Sequence, residues 1–80
     1  KKRLKLKVEI GSEVRQVVAG IAECYEPDQL ISRTIILVAN LKPVKLMGIE
    51  SQGMLLAANN NGQVVLAGFD PKPSQGIRVR

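Results

Sequence analysis

Leu4, Leu6, Val8 and Ile10 alternate with Arg3, Lys5, Lys7 and Glu9. A period of two puts four aliphatic side chains on one face of an extended strand and the charged ones on the other. Such a strand persists only where a second layer covers its apolar face, so the opening residues commit the chain to a sheet. Gly11-Ser12 is a turn signal, and Val14, Val17 and Val18 suggest a second strand running toward Ile21. The two form a hairpin, with Arg15 expected on the polar face. Residues 26–30 read as a short helix: Pro27 suits the first helical position and Asp28 the positive end of the helix dipole. Residues 34–39 are rich in β-branched side chains and do not alternate, which predicts a strand buried on both faces. Residues 54–58 are the next strand, Asn59-Asn60-Asn61-Gly62 is a hairpin turn, and residues 64–67 return as its partner. Residues 70–76 are irregular, and 77–79 are expected to form a last short strand. The fold class is all-β: a small OB-type Greek-key barrel with one short helix. On the pattern alone an SH3-like barrel reads similarly.

Eighty residues suit one small domain, here residues 1–80, and 45% of them are apolar, enough for a core. No apolar run approaches the length of a membrane span and no signal-peptide pattern opens the chain, so no membrane partner is expected. Cys24 is the single cysteine and there is no histidine. An intramolecular disulfide and a Cys/His metal site are therefore impossible, and the thiol lacks the usual partner for nucleophilic catalysis. Cys24 reads as a small half-buried residue in a reducing compartment, and a cytoplasmic location is expected. No catalytic residue, metal site or cofactor is expected. Carboxylates are too few for acid–base chemistry, and no glycine-rich phosphate loop is present. The formal net charge is +5, which favours an anionic partner, nucleic acid first.

The most specific stretch lies between the apolar runs: Asn40-Leu41-Lys42-Pro43-Val44-Lys45-Leu46-Met47-Gly48-Ile49-Glu50-Ser51-Gln52-Gly53-Met54. Pro43 fixes its own φ and pushes Lys42 into an extended conformation. Gly48 and Gly53 permit backbone angles or close approaches that a side chain would block. The stretch reads as a compact shaped loop that presents Lys42 and Lys45 to phosphates. Ser51 and Gln52 can hydrogen-bond sugar, phosphate or base, or Ser51 can brace the loop. Asn40 opens the loop and is expected to brace it by local hydrogen bonds. Arg33 is a weaker candidate contact, and Met54 reads as core. Lys1, Lys2, Arg3, Lys5 and Lys7 form a basic stripe that can guard an edge or extend a binding surface.

This stretch resembles the signature of the tRNA-binding domain at the C-terminus of many methionyl-tRNA synthetases. The same domain occurs in free-standing tRNA-binding proteins and in the endothelial monocyte-activating polypeptide II group. The pattern there is Ala-Asn-Leu-Lys-Pro-x-Lys-basic-x-Gly-x-x-Ser-x-Gly-Met. Val17-Val18-Ala19-Gly20-Ile21 and Tyr25-Glu26-Pro27-Asp28-Gln29-Leu30 also look like family segments, so the resemblance covers nearly the whole chain. The Ser-x-Gly-Met element is similar to the module of the phenylalanyl-tRNA synthetase β subunit, but the Tyr-x-Pro helix and the full Asn-Leu-Lys-Pro match favour the methionyl type. The resemblance implies a non-catalytic module that binds tRNA and assists aminoacylation by a parent methionine–tRNA ligase. It also implies a homodimer, or attachment to a synthetase catalytic domain. Binding by shape and backbone charge suits a chain whose only aromatic residues are Tyr25 and Phe69, too few for a stacking row. Three departures stand out. Met47 lies where a basic residue is common nearby, Glu23 replaces a frequent lysine, and the family's first strand has no counterpart before Leu4. The alternative is a dimerisation or scaffold domain of a synthetase with weak or lost RNA binding.

Overall fold

The computed structural model describes residues 3–80, so Lys1 and Lys2 of the basic stripe lie outside the described residues. The elements are β1 (Leu4–Ile10), β2 (Glu13–Ala19), α1 (Pro27–Leu30), β3 (Leu37–Val38), β4 (Val44–Leu46), β5 (Ile49–Ser51), β6 (Met54–Leu55), β7 (Ala57–Asn60) and β8 (Gln63–Leu66). They pair as four two-stranded antiparallel ribbons, β1–β2, β3–β6, β4–β5 and β7–β8. The β4–β5 hairpin is nested inside the β3–β6 pair. The chain is thus nearly all strand with one short helix, as the alternation and turn signals predict. Among the described residues its ladders remain separate ribbons, without one continuous closed sheet.

β2 is the central strand. β1 lies along one edge in a register that sets Leu6 opposite Val17 and Val8 opposite Arg15. Segment 50–52 lies along the other edge: Gln52 N–H donates to the Gln16 carbonyl at 2.8 Å. Covered on both sides, the end of β2 supplies most of the core. Val17, Val18 and Ala19 are buried, as are Ile21 and Leu66. Leu4, Leu6, Tyr25, Leu30, Ile35, Leu55 and Val64 pack around Ala19, Ile21 and Leu66. Burying one such valine contributes roughly 1.5–3 kcal/mol. Tyr25 Oη accepts Leu66 N–H at 2.9 Å, and Cys24 Sγ accepts Val64 N–H at 3.4 Å. These two bonds tie the segment before α1 to β8. Pro27 opens α1, and Gln29 Oε1 accepts the Glu26 N–H at 2.7 Å, the reciprocal arm of a capping box.

Several expectations need correction. Residues 34–39 are at most half-buried, not covered on both faces, and only Leu37–Val38 is laddered. Among the described residues, no second layer closes over their outer side. The single strand expected over 54–58 breaks at Leu56. That residue donates to Ile36 O and accepts from Ala67 N–H, both at 3.0 Å, and so links two ribbons. Residues 77–79 form no strand, and Ile77 and Val79 are exposed: no sheet edge among the described residues pairs with them. Met54 is 49% exposed beside Val38 rather than in the core. The free edge of β1 runs along a groove lined also by residues 30–40, Phe69 and residues 72–79, with Lys72 Nζ donating to Ser32 O across its rim at 2.7 Å.

Candidate nucleic-acid interface

The expected loop over residues 40–53 contains a hairpin. Val44 pairs with Ser51, Lys45 with Glu50 and Leu46 with Ile49, leaving Met47-Gly48 as a two-residue turn. Met47 has φ 53° and Gly48 φ 78°. Two consecutive positive φ values define the turn type whose twist matches antiparallel strands. Glycine meets that demand without strain; methionine does so at a cost. Met47 is 79% exposed at the tip. Lys45 therefore sits mid-strand on β4, and Lys42 precedes it on the exposed approach through Pro43. Neither lysine makes an ion pair among the described residues. Both ammonium groups are available as point charges for phosphate.

The hairpin is anchored to β2 from below. Ser51 is 5% exposed, its Oγ accepting Val18 N–H at 3.0 Å and donating to Gly53 O at 3.2 Å. Gln52 Oε1 accepts Gln16 N–H at 2.9 Å, and Gln16 Nε2 donates to Glu50 O at 2.8 Å. Of the two roles open to Ser51, the structure occupies its hydroxyl with bracing. The Gln52 side-chain carbonyl is likewise committed to the fold. Gly53 lies against β3, where an added Cβ would meet Leu37 Cδ1 at 2.9 Å and Val38 O at 3.1 Å. The two glycines of the motif thus serve different ends, Gly48 an angle and Gly53 an approach.

The bracing expected of Asn40 falls elsewhere. Asn40 is exposed, and its side chain makes no hydrogen bond among the described residues. Arg15 takes that place: its guanidinium donates to Ala39 O and, at 3.2 Å, to Gln52 O, while Nε pairs with Glu13 at 3.0 Å. The expectation of Arg15 on a polar face is corrected by the register, which sets it opposite Val8 on the face that carries Leu4 and Leu6. Continuing the alternation Glu13, Arg15, Val17, Ala19 is the signal that places it there. Arg33 stands apart from the hairpin, its guanidinium 5.2 Å from the centroid of the Tyr25 ring. Lys42, Lys45, Ser51, Gln52 and Asn40 are gathered on one structural unit; Arg33 is not. Lys5 and Lys7 on β1, and Arg3 just before it, are exposed.

An exposed hairpin bearing two lysines without ion-pair partners among the described residues, on a braced base, suits an anionic ligand. Comparison with known proteins bears on which ligand. The sequence profile of the family described as "Putative tRNA binding domain" matches residues 1–78. The chain belongs to this tRNA-binding domain family. It is 52% identical over 79 residues to the methionine–tRNA ligase of Thermotoga maritima and 50% identical over 78 residues to that of Caldanaerobacter subterraneus. Those matches take in 99% and 98% of this chain but only 13% and 12% of the ligases. The chain is thus homologous to a small part of each enzyme. Among solved structures, a methionyl-tRNA-synthetase-related protein from Pyrococcus horikoshii superposes on the whole chain with TM-score 0.90 and 43% identity. The chain covers 74% of that protein. The chaperone CsaA of Bacillus anthracis superposes with TM-score 0.90 at 26% identity over 98% of the chain.

Proposed function

We propose that residues 1–80 act as a non-catalytic tRNA-binding module of a methionine–tRNA ligase, working in the cytoplasm. The module takes folded tRNA by backbone charge and shape, with Lys42 and Lys45 as the principal phosphate contacts. The observation that carries this reading is the family match over residues 1–78, joined to two exposed lysines on a hairpin anchored to the central strand. Tethering tRNA beside a catalytic domain raises its local concentration without any chemistry in the module. Arg3, Lys5 and Lys7 extend the cationic surface, and Asn40 and Arg33 are secondary contacts.

The test is binding of unfractionated tRNA over a salt series. Lys42→Ala and Lys45→Ala are each expected to weaken binding similarly across tRNA sequences and to lower the slope of log affinity against log salt by about 0.9. Unchanged affinity and slope in both variants would sink the reading. A second reading, a dimerisation or scaffold domain, is favoured by the exposed apolar side chains Ile31, Phe69, Ile77 and Val79 and by the free edge of β1. Sedimentation of the same samples separates the two readings: self-association with no tRNA binding supports the scaffold.

A further inference from the structure

We propose that Arg15 is a positioning residue for the tRNA interface, acting through the backbone at the two ends of the lysine hairpin; the proposal rests on the reading above. Ala39 is the last residue before the loop, and Gln52 the first after β5. Their carbonyls converge on one guanidinium from positions 24 and 37 residues away in sequence. The ladder already holds the stem, since Val38 pairs with Met54. Arg15 locks the next step outward, where the ladder stops and the chain departs toward Lys42 and Lys45.

Arg15 is itself firmly held. It lies mid-ladder in the longest ribbon of the fold, opposite Val8, its Nε is oriented by Glu13, and its side chain is 25% exposed. Both carbonyls bond to one nitrogen, Nη1, whose N–H directions are fixed by the guanidinium plane that the Nε–Glu13 contact orients, whereas an ammonium on a flexible stem has no such preset direction. The β1–β2 ribbon thereby sets the height and tilt of the hairpin. Two lysines reach two phosphates of one folded RNA only if their spacing is set beforehand; a loose loop must be ordered on binding, and that ordering opposes affinity.

The experiment compares this chain with Arg15→Gln, Arg15→Lys, the Lys42→Ala/Lys45→Ala double variant, and that double variant carrying Arg15→Gln. Binding to unfractionated tRNA is measured over a salt series, with amide hydrogen exchange on the free proteins. Arg15→Gln is expected to weaken binding about tenfold and to lower the salt slope by between about 0.9 and about 1.8, the contribution of one to two phosphate contacts. Arg15→Lys keeps the charge but loses the planar group and its Nε anchor to Glu13, so its affinity should stay nearer that of Arg15→Gln than that of the parent. Exchange should quicken for amides of residues 40–50 while those of β1 and β7–β8 stay as protected as before. In the double lysine variant, adding Arg15→Gln should cost little more, because the groups it positions are gone.

Full recovery by Arg15→Lys, or full additivity with the lysine variants, would mean that Arg15 touches RNA by charge, and would overturn the proposal. So would parental affinity in Arg15→Gln while the lysine variants bind weakly. Uniformly faster exchange throughout Arg15→Gln would mark a merely structural residue and also overturn it. Parental affinity in the lysine double variant is a different failure, that of the tRNA reading itself.

Discussion

Met47 shows how much one residue's backbone angle can decide. Its φ of 53° at the tip of the β4–β5 hairpin suits Asn or Gly better than a long side chain. Its exposure means that nothing is gained in packing to offset that strain. Met47→Asn is therefore expected to stabilise the domain by roughly 0.5–1 kcal/mol, read as a higher urea midpoint at unchanged slope. Met47→Arg should fold as well as the parent, because the side chain points to solvent. It should bind tRNA somewhat more tightly at low salt and lose that gain as salt rises. A Met47→Arg protein that fails to fold would contradict the exposed tip. Ser51 is the opposite case: a residue type common in RNA contacts, here buried with its hydroxyl's donor and acceptor both used. The motif's spacing names both residues, but their surroundings distinguish what they do.

At the level of elements, the nested arrangement of β4–β5 inside β3–β6 depends on how closely β6 approaches β3. Gly53 makes that approach possible, with Leu37 and the Val38 carbonyl where its Cβ would stand. The nearer atom is the end of a side chain that can turn away, but the next is backbone. Gly53→Ala is expected to cost about 1–3 kcal/mol, the usual range for forcing atoms into a packed site. The loss should appear as a lower thermal midpoint, together with weaker tRNA binding, since the hairpin's base would shift. Gly53→Ala with parental stability would show that β3 yields freely. The hairpins β1–β2 and β7–β8 are legible from sequence because each carries its own evidence: alternation in the first, and an Asn61-Gly62 turn with φ 54° and 88° in the second. The β4–β5 hairpin was hidden because its strands are three residues each and its turn lacks the usual asparagine.

The whole molecule has a small core around the end of β2 and an open groove along β1. Leu4, Leu6, Val8 and Ile10 are only half-buried, and among the described residues β1 pairs with β2 alone. Lys5 and Lys7 blunt that edge without covering the apolar face. A strand appended before Lys1 that pairs along this edge is expected to make the protein unfold at a higher temperature than the eighty-residue chain. Each kcal/mol gained would move the midpoint by about 4–8 °C in a domain this small. Equal midpoints in thermal unfolding of the two proteins would mean that the groove gains nothing from further chain.

Local physical chemistry made much of this protein readable from its sequence alone. Alternation marked β1, proline and acid marked α1, Asn-Gly marked the β7–β8 turn, and the long lysine-proline-glycine motif pointed to the family. Each of these signals lives within a few neighbouring residues, where turn sterics and side-chain periodicity act. What the tertiary structure decided is who holds the motif in place. Arg15 reaches carbonyls 24 and 37 residues away, and Ser51 reaches a β2 amide 33 residues away. The burial of residues 34–39 likewise depends on layers drawn from elsewhere in the chain. Hydrogen bonds and burial of this kind depend on which distant segments the fold brings within hydrogen-bonding distance, and no run of adjacent residues encodes that.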